Sequence, residues 1–155
     1  MRTLTTIFAG VALFALTSCG PSGDAGVGSS AEHRHEPPHG GTGVVLGNEE
    51  HHLEFVLDAA AGKMQAYVLS AHMENFVRIS AESLAVTVKL PDREETLSFK
   101  PVANSTTGET VGDTSMFDAH ADWLKTQKTF DAVLKEISIK GKAYQNVAFN
   151  FPKGN

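Results

Sequence analysis

The sequence predicts an all-β domain: an antiparallel β-sandwich, immunoglobulin-like or barrel-like, with one short helix, after a disordered N-terminal tether. Three observations predict it. From Thr42 onward, apolar residues recur at every second position in short runs. The runs are separated by turn chemistry such as Gly47-Asn48-Glu49 and Pro91-Asp92-Arg93-Glu94. No strand–helix–strand rhythm interrupts them, which argues against a parallel sheet. With 155 residues, 41% apolar and 20% charged, the chain can bury one core.

The elements follow in order. Val44-Val45-Leu46 forms a first short strand. His51–Asp58 alternates, with Leu53, Phe55 and Leu57 on one face and His52, Glu54 and Asp58 on the other. Ala59-Ala60-Ala61-Gly62 connects to a strand over Lys63–Ser70; Ala71–Phe76 is a loop and Val77–Ser80 a short strand. Leu84, Val86, Val88 and Leu90 share an apolar face, and Thr96–Lys100 returns with Leu97 and Phe99. Asn104–Asp113 reads as polar loop, and Ser115–Ala119 as another strand. Ala121–Thr129 is the one helix, with Trp123 a cap over the core beside Phe117 and Phe130. Val133–Lys140 and Ala143–Phe151 form a hairpin across Gly141-Lys142, with Val147, Phe149 and Phe151 on one face. Eight or nine strands result.

The N-terminus has a different character. A cationic start, Met1-Arg2, precedes the apolar run Ile7–Leu16, which is too short for a membrane span and suits a signal peptide. It ends in Leu16-Thr17-Ser18-Cys19, and Cys19 is the only cysteine. This pattern resembles the lipobox of bacterial lipoproteins. The resemblance implies cleavage after residue 18, lipidation of Cys19 and anchoring to a membrane. Gly20 after the Cys implies the outer membrane, with the domain facing the periplasm from its inner leaflet. The domain plan is then signal peptide 1–18, flexible tether 19–38 and β domain 39–152. Gly, Ser, Ala and Pro dominate the tether, which lacks any apolar period.

Net charge of −5 argues against a nucleic-acid partner, which requires a basic face. One cysteine excludes an intrachain disulfide, and its lipidation excludes thiol catalysis and Cys-type zinc sites. The carboxylates Glu49, Glu50, Glu74, Glu94, Glu95, Asp113, Asp118 and Asp122 are scattered and read as solvated surface. A triad of His120 with Asp118 or Asp122 and a serine such as Ser115 lacks a nucleophile elbow or oxyanion hole around it. No enzymatic activity is expected.

The histidines carry the functional signal. There are seven, five of them between His33 and His52. Imidazole suits zinc, copper and nickel. His35-Glu36-Pro37-Pro38-His39 spells the H-E-x-x-H zinc motif, but two prolines inside the turn forbid the helix that motif requires. His33-x-His35 in the tether can capture a metal weakly. The better candidates are His39, His52 and His72, brought to one end of the sheet by the first three strands. His51 competes with His52, because a one-residue register shift exchanges their faces. Met73 or Met116 would add a thioether for copper(I).

Pro38-His39-Gly40-Gly41, His52-Leu53-Glu54-Phe55-Val56-Leu57-Asp58, Gly62-Lys63 and Tyr67-Val68-Leu69-Ser70-Ala71-His72 are similar to small periplasmic domains found beside the adaptor subunits of heavy-metal efflux systems. Ile137–Lys142 and Tyr144 resemble the closing hairpin of such domains. The resemblance covers residues 37–151 and leaves His120 outside any motif. It implies a copper or zinc ion and hand-over to an efflux complex. Binding is expected to weaken below about pH 6, where imidazole protonates. The alternative is a structural or protein-binding envelope lipoprotein with no metal.

Overall fold

The computed structural model describes residues 35–155. The expected signal peptide, Cys19, His33 and most of the expected tether lie outside the described residues. Eight strands form: β1 (Thr42–Leu46), β2 (His51–Asp58), β3 (Lys63–Ser70), β4 (Leu84–Lys89), β5 (Glu94–Pro101), β6 (Met116–His120), β7 (Phe130–Ile139) and β8 (Lys142–Phe151). All pair antiparallel in one sheet, in the order β1-β2-β3-β6-β5-β4-β7-β8. The hairpin run β4-β5-β6 is flanked by β7 beside β4, which is a Greek-key arrangement.

The sheet curls almost into a barrel, so the fold is the barrel-like form of the expected class, built from one sheet. Its two edge strands approach each other. Val45 of β1 donates its N–H to Asn155 Oδ1 (2.8 Å), and Asn155 Nδ2 donates to Val45 O (3.2 Å). The Asn side-chain amide thus imitates a neighbouring strand and satisfies an edge that would otherwise be open. The same seam is crossed by the Lys142–Glu50 ion pair and by His51 with Tyr144.

Alternation fills the interior as expected. Leu53, Phe55, Met64, Val86, Phe99, Phe117 and Leu134 are all essentially inaccessible. Phe55 stacks on Phe149 (4.8 Å) and meets Phe99 edge-on (5.6 Å), so the aromatic centre is shared by β2, β5 and β8.

Three local expectations need correction. Val77–Ser80 is not a strand: within it only Ile79 makes a single bridge, to Thr114, and Phe76 just before it bridges Leu69. The expected helix at Ala121–Thr129 is one 3-10 turn, Asp122–Lys125, with Leu124 buried and Trp123 edge-on to Phe130 (5.5 Å). Ala121 supplies no side-chain cap, so nothing nucleates a longer helix. The last hairpin turns at Lys140-Gly141, one residue earlier than expected. Both residues have positive φ (49° and 83°), as a two-residue turn matched to strand twist requires. Among the described residues no helix is long and apolar enough to cross a membrane.

Candidate metal centre

In β2 the inward residues Leu53 and Phe55 belong to the core. The outward residues should be wet, yet His52 is 2% exposed and Glu54 0%. Two segments cover them: an arm, residues 35–41, and the turn from Ser70 to Phe76. Opposite Glu54 on β1 stands Gly43. A Cβ there would lie 2.7 Å from Met73 Cε and 3.5 Å from Pro37 Cγ, so the missing side chain makes room for the turn and the arm together. Leu69, opposite His52, and Met73 are buried on this side, apart from the main core.

The arm is held by Glu54. Its Oε1 accepts the backbone N–H of His39 and of Gly41, each at 2.8 Å, and its Oε2 lies 2.8 Å from His39 Nδ1. A buried carboxylate so far from water needs this many donors. The His-Gly-Gly sequence fits the demand. Gly40 has φ +67°, and its N–H donates to Pro37 O (3.0 Å). At Gly41 a Cβ would come within 2.5 Å of Phe55 O, so only glycine lets the arm approach β2. The His39 ring stacks on Tyr67 (centroids 4.0 Å, 19°) and tilts against the exposed Phe76 (5.7 Å). Burial, with Glu54 nearby, raises the Tyr67 hydroxyl above its usual pKa.

At the other end of the arm, three imidazoles meet. His35 is 5.6 Å from His52 and 5.1 Å from His72, ring centre to ring centre, both edge-on. His52 Nδ1 is 3.3 Å from Ser70 O. A carbonyl only accepts, so Nδ1 carries the proton and Nε2 keeps its lone pair for a ligand. Burial pushes the His52 pKa below its usual value, against the raising effect of the Ser70 bond, which favours the neutral form that ligates. His72 is exposed at the tip of a turn closed by Met73 N–H to Ser70 O (3.0 Å), with Met73 at φ 57°. Two imidazoles on one tetrahedral zinc ion place their ring centres about 5 Å apart, given bonds of about 2.0–2.1 Å. As placed, the ring nitrogens do not converge: among the described residues no group of three His, Cys, Asp or Glu side chains is arranged to hold a metal ion.

The grouping differs from the expected one. His52 and His72 each pack on a shared third imidazole, which is His35 and not His39. Between His35 and His39 the two prolines and the turn closed by Gly40 N–H to Pro37 O replace a helix, and the two imidazoles reach different residues of β2, His52 and Glu54. His51 points to the opposite side, where its Nδ1 lies 2.8 Å from Tyr144 Oη. Burial, then the Lys140 charge, lowers its pKa. Met116 Sδ accepts a weak bond from Gln65 (3.9 Å), and Met73 packs on Gly43. Ser115 lies buried just before β6, whereas His120 ends β6 and is exposed. Ser115 Oγ donates to Glu109 (2.6 Å), while His120 stands 3.9 Å from Asp118. Burial raises the Glu109 pKa, but hydrogen bonds from Ser115 and Thr107 outweigh it and hold the carboxyl low.

Sequence reasoning overlooked Glu54 as a functional residue. Its signal was a carboxylate two positions from His52 on the same strand face, with a His-Gly-Gly segment able to reach it. No protein-family model, curated protein or solved structure matches the chain.

Proposed function

We propose that the domain binds a transition-metal ion, copper or zinc, through His35, His52 and His72. In this reading Cys19 anchors the chain to the envelope membrane, and the domain captures the ion in the periplasm for an efflux complex. The observation that carries the metal assignment is the edge-on packing of the three imidazoles at 5.1 and 5.6 Å, close to the spacing of two imidazoles on one ion. The Ser70 carbonyl at His52 Nδ1 adds the outer-shell bond that histidine ligands characteristically make. His35 is half-buried and His72 exposed, so both retain rotamer freedom to close on an ion. A bound ion would supply charge and a ligand-exchange site; no redox or hydrolytic step is assigned to it.

Calorimetric titration of the chain with Zn²⁺ and with Cu²⁺ tests the reading. One ion per chain should bind with micromolar or tighter affinity. His35→Ala, His52→Ala and His72→Ala should each weaken it by about tenfold or more, whereas His51→Ala should leave it unchanged. Absence of binding to the native chain would remove the reading. The protein-binding alternative would then lead, with the exposed Phe76 beside His39 and Tyr67 as its contact.

A further inference from the structure

We infer that Glu54 is a positioning residue for the histidine site: it pins one end of a proline-stiffened arm whose other end carries His35 to His52 and His72. The inference rests on the metal-binding reading above and adds to it the group that assembles the site. His52 is fixed within β2, and His72 within a tight turn tied to β3. His35 belongs to no strand. Among the described residues, the hydrogen bonds that tie its arm to the sheet are those to Glu54, from His39 N–H, Gly41 N–H and His39 Nδ1. From there the chain runs back to His35 through Pro38 and Pro37, whose rings fix φ and strip out most of the slack. The turn bond from Gly40 N–H to Pro37 O stiffens the joint. Pinning residues 39–41 therefore limits where residue 35 can be, and the ordering entropy of the third ligand is met before the ion arrives. This also gives the Pro-Pro pair a use: it excludes a helical zinc motif while setting the reach of the arm.

The test is a mutant cycle read by Zn²⁺ and Cu²⁺ titration of the chain, with thermal melts to confirm folding. Glu54→Ala should weaken binding by about tenfold or more, and Glu54→Gln, which can still accept both backbone N–H bonds, should recover most of it. If Glu54 acts through His35, adding Glu54→Ala to His35→Ala should cost nothing further, whereas a general loosening of the fold would lower affinity again. Should Glu54→Ala fail to fold, Pro37→Gly/Pro38→Gly replaces it. Slack in the exposed arm should lower affinity to the level of His35→Ala, and in Cu²⁺ electron paramagnetic resonance the coordinated nitrogens should fall by one. Native affinity in Glu54→Ala and in the double-glycine variant, or additive losses in the cycle, would overturn the positioning role and leave the metal site standing. No binding by the native chain would overturn the metal site, and the positioning role with it.

Discussion

Two outer faces of the same sheet received opposite treatment. On β2 the outward residues His52 and Glu54 lie under the arm and the Ser70–Phe76 turn and are inaccessible. On β4, β7 and β8 the outward residues Thr87, Val133 and Ala148 floor an open groove of about 420 Å³, rimmed by Lys89, Glu94, Asp131 and Asn150. Both places follow the same in–out pleat, but the outward pair on β2 is polar and the groove floor is mostly apolar. The cover is reversed: the polar face is the one that is covered. Over the groove, Lys89, Glu94 and Asp131 are exposed to water; Asn150 donates its side-chain N–H to Asp131 (2.8 Å), while its buried Oδ1 has no protein partner among the described residues. Under the arm, every polar group must find a protein partner, so each one constrains its neighbours. A covered polar face is where a few side chains become organised enough to act together.

The largest expected effect breaks the covered face directly. Glu54→Ala leaves the N–H groups of His39 and Gly41 without their acceptor and should cost about 3 kcal/mol in urea unfolding. On the open face, Asp131→Ala should stay within about 0.5 kcal/mol. Equal effects would mean that the cover confers no special cost. Next comes Gly41→Ala. The added methyl meets Phe55 O at 2.5 Å, a backbone atom that cannot swing aside. The arm must lift, at about 2 kcal/mol, and protease accessibility near residues 35–41 should rise with it. The smallest effect is the pH dependence. Burial lowers the pKa of both His51 and His52 relative to the usual 6.5. The unfolded chain therefore takes up protons at these sites before the folded one does. Their contribution to stability is complete above about pH 6.5 and is lost as pH falls from there toward the lowered folded values. Unfolding free energy should decline between pH 7.5 and 5.5, and replacing both histidines with Gln should flatten that decline.

The strands were legible because period two is a local property. Leu53 and Phe55, Val86 and Val88, and Phe149 and Phe151 all face the core as their spacing requires. The turns at Gly47 and Gly141 were legible because glycine tolerates the positive φ both adopt, although the second turn lies at Lys140-Gly141, one residue before the expected place. His51 and His52 were legible as a pair on opposite faces, though not which of them would join other histidines. The candidate site was only partly legible. His35 stood in a segment whose composition reads as linker, and nothing local reveals that Glu36-Pro37-Pro38 spans the gap from Glu54 to His52. Glu54 itself looked like one more polar strand residue, since its burial depends on what lies above it.

Sequence alone determined the all-β class, the two faces of each strand, the places where only glycine fits a turn, and the concentration of imidazoles near the start of the domain. These follow from the backbone's restricted dihedrals and the alternation of side chains, both set by neighbours in the chain. Tertiary structure decided that one sheet curls until Asn155 meets Val45, that the arm crosses β2 instead of leaving the domain, and that His35 joins His52 and His72 while His39 joins Glu54. Those outcomes depend on contacts between residues distant in sequence. Their free energy comes from burying surface and pairing polar groups that no local pattern encodes.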